Sequence, residues 1–323
     1  MNSPANLPQS SAIHPQPARP GEVRLDEILF ATDFSEVSAA ALPYAAAVAR
    51  AFHSMLRIVH VIPPDAYAHI AEQQRAAALA TLHREAEERI ASLLTASHFR
   101  GTRHEVTLDH GEILPALAAE AEKRGADLIV LGLHGRHGLQ KMLLGSIAEE
   151  ILRLAAVPVL AVGPEVTVAP EAEMHVREVL CIADFSPLAG HALRYAEALV
   201  RRWNAHLTVL YVVHDIWKDP LSTRMSADAF VRLRLLEKDR MRNLEDLECE
   251  FAVEFGPVED RILEFAEKRA SQLIVMDVPS TMHPALAAHM PGPLAYNVAS
   301  HARCPVLGIR SISEQSPQEK INP

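Results

Sequence analysis

The stretch EILFATDFSEVSAAALPYAAAVARAF, residues 27–52, decides the fold because the chain contains it twice. Its second copy is EVLCIADFSPLAGHALRYAEALVRRW, residues 178–203. The Asp-Phe-Ser triplet at 33–35 recurs at 184–186, which is 151 positions later. Each copy places a short apolar run before an alanine-rich segment with helical spacing, and this order predicts a strand followed by a helix.

The rest of each copy recurs in the same order. LRIVHVI, from residue 56, pairs with LTVLYVV, from residue 207, and VPVLAV at 157–162 pairs with CPVLGI at 304–309. Apolar strands that alternate with helical segments are typical of a parallel sheet with helices on both faces. We therefore predict an α/β protein of two tandem, doubly wound, five-stranded parallel-sheet domains.

The repeats also predict the domain organisation. Residues 1–24 are a proline-rich flexible tail, 25–163 the first domain, 164–175 a linker, 176–310 the second domain and 311–323 a second flexible tail. A chain of 323 residues is long enough for two domains of this size.

Composition and charge argue against several classes of partner. The formal net charge is −10 with 31 basic residues, whereas nucleic acids and anionic membranes require a basic face. The longest apolar runs fall short of the roughly 18 residues that span a bilayer, and the N-terminus lacks the pattern of a secretion signal. The three cysteines are widely spaced, as is typical of reduced thiols. We therefore expect a soluble cytoplasmic protein without a nucleic-acid or membrane partner.

The stretch GLHGRHGLQKMLLGS, residues 132–146, holds four of the 13 glycines and follows the predicted strand DLIVL. Ligands of open α/β sheets bind beyond the carboxyl ends of the strands. Glycines there let backbone N–H groups approach an anion, and the N-terminus of the predicted next helix favours phosphate. The spacing is neither that of a P-loop nor G-x-G-x-x-G. Two interpretations stay open: a phosphate site, or a structural turn in which Ser146-x-x-Glu149 is a capping box.

The spacing of these glycines carries a resemblance to a known family. Gly132-x-x-Gly135, nine further residues and Gly145-Ser146 resemble the glycine motif of the nucleotide-binding branch of the universal stress protein family. The ATDFS opening and the VPVLAV closing strand fit the same family, and the resemblance covers residues 25–310. It implies a bound ATP, with Mg²⁺ or Mn²⁺ carried on its phosphates. The nucleotide-binding residues that it implies are Asp33, Val61, Gly132, His134, Gly135, Arg136, Gly145, Ser146 and Ile147.

The resemblance implies a different role for each part of this set. Asp33 accepts hydrogen bonds from ribose hydroxyls or lies beside the metal, and Val61 lines the adenine pocket and offers backbone contacts. The glycines, the Ser146 hydroxyl and the amide of Ile147 bind the phosphates, with His134 and Arg136 close by.

The second copy lacks most of the glycine motif. Asp277 and Ser280 stand at the positions of the first two glycines, and Pro293 at the serine position has no N–H to donate. We therefore predict one nucleotide per chain, in the first domain. Because the second copy keeps Asp184 in its Asp-Phe-Ser triplet, Asp33 has an alternative role as a turn residue and helix cap.

The leading hypothesis is an ATP-binding tandem universal stress protein that acts in stress response or signalling. No evident general base or water-positioning residue accompanies the motif, so we assign no catalytic residue and expect at most slow ATP hydrolysis. The histidines form no evident metal set, and no metal site built from protein alone is assigned. Two alternatives stay open: a nucleotide-dependent hydrolase or adenylylating enzyme, and a nucleotide-free stress or interaction protein.

The resemblance also implies how the two domains meet. Members of the family pair through their last strands, so the closing strands PVLAV and PVLGI are expected to form a pseudo-dimer within one chain. Such pairing would hide the unpaired backbone groups of both edges. Whether two chains associate into a homodimer stays open.

Overall fold

The computed structural model describes residues 23–95, 99, 101–133, 144–166, 176–183, 190–213, 247, 249–279 and 294–311. Strands and helices alternate along these ranges, as the sequence predicts. The strands are β1 (Glu27–Ala31), β2 (Met55–Ile62), β3 (Arg103–His110), β4 (Leu128–Gly132), β5 (Val159–Val162), β6 (Glu178–Ile182), β7 (His206–Val213), β8 (Cys249–Phe255), β9 (Leu273–Pro279) and β10 (Val306–Ser311). The α-helices are α1 (Glu36–Phe52), α2 (Glu72–Leu94), α3 (Ile113–Arg124), α4 (Leu144–Leu154), α5 (Gly190–Trp203), α6 (Val258–Lys268) and α7 (Leu294–His301), and a short 3₁₀ helix spans Pro64–Ala66.

The ten strands form one continuous sheet in the order β3-β2-β1-β4-β5-β10-β9-β6-β7-β8. Strand neighbours within each half are parallel, and the order reverses direction beside β1 in the first half and beside β6 in the second. The prediction of two doubly wound, five-stranded α/β halves is therefore confirmed.

The two halves are joined by their last strands. β5 and β10 pair antiparallel, with Leu160 opposite Leu307 and Val159 opposite Gly308. Antiparallel pairing of equivalent strands is what a two-fold relation between two copies produces. This confirms the expected pseudo-dimer within one chain.

Helices cover both faces of the sheet, and each face has its own core. Successive strand residues point to opposite faces, so Ile28 and Phe30 of β1 pack in one core while Leu29 packs in the other. Helices α1 and α5 contribute to the first core, and α3, α4, α6 and α7 contribute to the second. Burial on both faces explains why the strands read as nearly continuous apolar runs.

Helix α1 has the clearest termini. Ser35 is its N-cap, and the Ser35 side chain accepts a hydrogen bond from the amide of Ser38. His53 ends the helix in the left-handed region with φ 59°, and its amide bonds back to the last turn. These caps satisfy backbone groups that the helix itself leaves unpaired, and they fix the start of α1 next to the end of β1.

Some of the other predicted segments lie within the described residues, and others do not. The predicted helix within 66–97 is α2, whose 23 residues include only two that are buried, Ala86 and Ile90. Most of the corresponding segment, 223–248, lies outside the described residues, as do most of the predicted linker and both predicted tails. Within the described part of the chain, no helix combines the length and apolar character needed to cross a membrane.

Candidate functional site

A cleft of about 610 Å³, part of it open solvent, lies at the carboxyl ends of β1, β2 and β4. It lies where the strand order reverses, which is the usual ligand position in open α/β sheets. The walls are mainly apolar and come from the sheet and from helices α3 and α4, including Val59, Val61, Leu131, Ile113, Leu117 and Ile151.

Four of the nine predicted site residues line this cleft: Asp33, Val61, Gly132 and Ile147. They come from the end of β1, the end of β2, the last residue of β4 and the start of α4, so the fold brings together residues that are far apart in sequence. Of the other five, Gly145 and Ser146 lie within the described part of α4. The remaining three, His134, Gly135 and Arg136, lie outside the described residues.

Helix α4 points its N-terminus at the cleft. Its described part is Leu144–Leu154, so Ser146 lies inside the helix and is not its N-cap, which the capping-box interpretation requires. The N-terminal side of the helix carries the positive end of the helix dipole. Ile147 and Ala148 from the same turns contact the cleft. The dipole therefore favours an anion at this end of the cleft.

Asp33 serves the loop that connects β1 to α1. Its Oδ1 accepts a hydrogen bond from the amide of Ser35 at 2.9 Å, which makes the residue a turn former next to the N-cap. Asp33 is also exposed and lines the cleft. The geometry therefore gives the residue the structural role of the alternative interpretation, at a position from which its carboxylate also reaches the cleft.

The hydroxyls of Thr32 and Ser38, which the sequence did not predict as site residues, form a polar corner of the cleft next to Asp33. Thr32 and Ser38 are buried, their oxygens lie 3.0 Å apart, and both residues line the cleft. The Ser38 hydroxyl donates to the Ser35 carbonyl, so the Thr32 hydroxyl donates to Ser38 and accepts from the amide of Phe34. A comparison of the two copies could have identified this pair, because the second copy has Ala183 in place of Thr32 and Ala189 in place of Ser38.

Gly132 has a packing role in addition to its place in the motif. A β-carbon at this position would lie 2.5 Å from the carbonyl oxygen of Val37 and 2.8 Å from the amide nitrogen of Ser38. The end of β4 therefore lies directly against the first turn of α1, and only glycine allows this approach. The second copy has Asp277 at this position.

A ring contact between Phe34 and His60 supports the loop after β1. Phe34 adopts the left-handed region with φ 63°, which is costly for a bulky side chain and persists only where its surroundings enforce it. Its ring lies 4.3 Å from the ring of His60 and 5.7 Å from the guanidinium of Arg89. His60 Nδ1 donates to the Thr32 carbonyl at 2.8 Å, and burial lowers the pKa of the ring. A neutral His60 thus anchors the loop that carries Asp33.

The backbone of Val61 faces the cleft. The carbonyl of Val59 accepts from the amide of Thr32, on the β1 side, while the carbonyl of Ile62 accepts from Gly111, on the β3 side. Successive strand residues bond to opposite neighbours, so the backbone groups of Val61 point toward the β1 side. Because β1 ends at Ala31, these groups lie beside the cleft rather than inside the ladder.

Comparison with known proteins identifies the family. The model of the universal stress protein family matches the chain twice, at residues 25–163 and 175–310. This chain belongs to the universal stress protein family. Both halves are family domains, although the second has lost most of the glycine motif.

Individual relatives agree with this assignment. Universal stress protein MJ0531 of Methanocaldococcus jannaschii is 30% identical over 145 residues, which are 45% of this chain and 85% of that protein. Universal stress protein A homolog 1 of Coxiella burnetii is 37% identical over 138 residues, which are 42% of this chain and 94% of that protein. The crystal structure of a universal stress protein from Archaeoglobus fulgidus superposes with a TM-score of 0.68 at 20% identity, covering 91% of this chain and all of the other. The last of these supports the tandem fold.

Only part of the second half that corresponds to the cleft lies within the described residues. Asp277 lies within β9, opposite Ile309 of β10. Asp184, Ser280 and Pro293 lie outside the described residues. Among the residues that the structure describes, no group of three or more histidine, cysteine or acidic side chains could hold a metal ion.

Proposed function

We propose that this universal stress protein binds one ATP in the cleft of its first half and acts in stress response or signalling through the bound nucleotide. The observation that carries the proposal is the meeting of Asp33, Val61, Gly132 and Ile147 at one cleft. These residues come from four elements and fit the family motif, and a chance pattern would have no reason to converge on the reversal point of the sheet.

The chemistry of the cleft fits an adenine nucleotide. Its apolar walls suit the faces of a flat base, and the backbone groups of Val61 suit the hydrogen-bonding edge of that base. The polar corner formed by Thr32, Asp33 and Ser38 suits a ribose. The N-terminal side of α4 faces the cleft and suits the phosphates, since the helix dipole favours anions there.

A divalent ion would come with the phosphates. Mg²⁺ and Mn²⁺ prefer oxygen ligands and are commonly held by one or two carboxylates together with substrate phosphates. Asp33 is the exposed carboxylate at the cleft, so this residue would share such an ion with the nucleotide. The ion would neutralise phosphate charge in a protein whose net charge is −10.

The described polar groups of the cleft favour binding over rapid turnover. Thr32 and Ser38 are tied to each other and to the start of α1, and Asp33 accepts from the Ser35 amide. A group held in this way is a poor general base, because catalysis needs a base aimed at the attacking water. At most slow ATP hydrolysis is expected.

A nucleotide-free interaction protein is the second candidate, and a specific observation favours it. Gly132 packs against the backbone of α1, and Asp33 stabilises the turn before it, so both residues have structural roles that need no ligand. The two candidates differ in whether the cleft is occupied in solution.

The deciding experiment is mass spectrometry of small molecules released when the purified full-length protein is denatured, combined with thermal unfolding in ATP–Mg²⁺. ATP binding predicts a released adenine nucleotide and a stabilisation of about 2.7 kcal/mol at a hundredfold excess over Kd. Asp33→Asn keeps the acceptor for Ser35 but removes the charge, so it should abolish the Mg²⁺-dependent part of the affinity. The matched control Asp65→Asn changes an exposed carboxylate outside the cleft. No released nucleotide and no stabilisation would favour the nucleotide-free candidate, and phosphate release that rises with a second substrate would favour the enzyme.

A further inference from the structure

Helix α4 connects the cleft of the first half to the second half. Its N-terminal turns line the cleft through Ile147 and Ala148. At its other end, Arg310 of the second half donates from Nη1 to the carbonyl oxygen of Leu154 at 2.6 Å. Gly308 brings β10 so close to α4 that an added β-carbon would lie 3.0 Å from a methyl of Leu152.

The contact between Arg310 and Leu154 stabilises the C-terminal end of α4 and so affects the position of the whole helix. The last carbonyl groups of an α-helix have no partner inside it and carry the negative end of the dipole, so a cation there is stabilising. The described part of α4 has 11 residues, which is about 16 Å, and its continuous backbone hydrogen bonds couple its two ends. A group that fixes the C-terminal end therefore also fixes where the N-terminal amides point.

The two halves do not make this contact symmetrically. VPVLAVG ends at Gly163 and CPVLGIR ends at Arg310, so glycine in the first half corresponds to arginine in the second. Gly163 lies against helix α7, where an added β-carbon would be only 2.0 Å from the carbonyl oxygen of Ala299. The helix next to the glycine motif thus receives a cationic cap from the other half, whereas the residue that corresponds to Arg310 in the first half, Gly163, has no side chain to cap α7.

We propose that Arg310 is a positioning residue for the nucleotide site, through which the second half holds the phosphate-facing end of α4 in place. This inference rests on the proposed function. It gives the second half a role in a binding event for which its own sequence lacks the motif.

The test measures the ATP–Mg²⁺ dissociation constant of the full-length protein by calorimetry. Arg310→Gln should weaken binding about fivefold, within the range by which single positioning residues change coupling. Arg310→Lys keeps a cation at the end of α4 and should restore affinity to within about twofold of wild type. The control is Arg303→Gln, which removes an exposed arginine of the same half that pairs with Glu267 by a 2.6 Å contact and should leave affinity unchanged.

Hydrogen exchange without nucleotide gives a second measurement. Arg310→Gln should speed exchange of the α4 amides relative to Arg303→Gln, because the helix end has lost its cap. If wild type binds ATP and Arg310→Gln binds it equally well, or if Lys fails to restore a lost affinity, the positioning role is overturned. If wild type itself binds no ATP, the proposed function fails, and that result is distinct from the first two.

Discussion

Replacement of Gly132 by alanine should disturb both stability and binding. The added β-carbon would lie 2.5 Å from the Val37 carbonyl oxygen, 2.6 Å from the Val37 carbonyl carbon and 2.8 Å from the Ser38 amide nitrogen. All three atoms belong to backbone, so β4 and the start of α1 must move apart. Overpacking of this kind costs about 1–3 kcal/mol, and the loss of chain entropy on replacing glycine returns less than about 1 kcal/mol. We expect a net loss of about 2 kcal/mol.

The measurement is urea unfolding of the full-length variant, followed by ATP–Mg²⁺ titration below its transition. Ser38 lines the cleft, so its displacement should also weaken ATP binding about tenfold, or 1.4 kcal/mol. The control is Gly308→Ala, whose β-carbon would lie 2.9 Å from Val278 and 3.0 Å from Leu152, against side-chain methyl groups rather than backbone. Gly308→Ala should cost about 1 kcal/mol, less than Gly132→Ala, because side chains can adjust where backbone cannot. Equal losses in the two variants would refute the close-approach argument.

The remaining predictions concern the junction and the response to alkaline pH. Gly163→Ala places a β-carbon 2.0 Å from the Ala299 carbonyl oxygen, so it should cost about 3 kcal/mol or more in urea unfolding; a loss under about 1 kcal/mol would contradict the tight junction. Burial raises the pKa of the Cys304 thiol from 9.0 to about 12 and, together with the nearby thiol, raises the pKa of Tyr44 to about 12. The unfolded chain then loses these protons first, so the free energy of unfolding should fall above about pH 9, by up to about 1.4 kcal/mol per pH unit for each group. Cys304→Ala should reduce this slope, and an unchanged slope would show that other groups cause it.

The sequence predicts the fold well because the fold depends on patterns that extend along the whole chain and occur in both copies. Apolar strands buried on both faces, helical spacing between them and a second copy in the same order leave little choice of architecture. The antiparallel junction between β5 and β10 follows from the family resemblance. Local pattern alone would not give it, because pairing between chain ends depends on contacts that are distant in sequence.

The candidate site is less predictable from sequence, because its geometry depends on close packing between elements that are distant in the chain. The motif led to Gly132 as a phosphate contact, whereas the structure shows in addition that it packs against α1. No periodicity indicates that the end of β4 lies so close to the start of α1 that a β-carbon on Gly132 would meet the helix backbone. Thr32 and Ser38 carry no motif either, and only their joint loss as Ala183 and Ala189 in the second copy distinguishes them.

These substitutions in the second copy change one corner together. Gly132, Thr32 and Ser38 meet at the start of α1, and all three are replaced in the other half, Gly132 by Asp277. A larger residue at the glycine position needs the helix start to move away, and the hydroxyl pair then loses the geometry that satisfies it. Relaxed selection on a single loop would replace the glycines alone. Because the loss extends to buried hydroxyls outside the motif, the corner behaves as one unit, and its close packing is kept in the half that keeps the glycine motif.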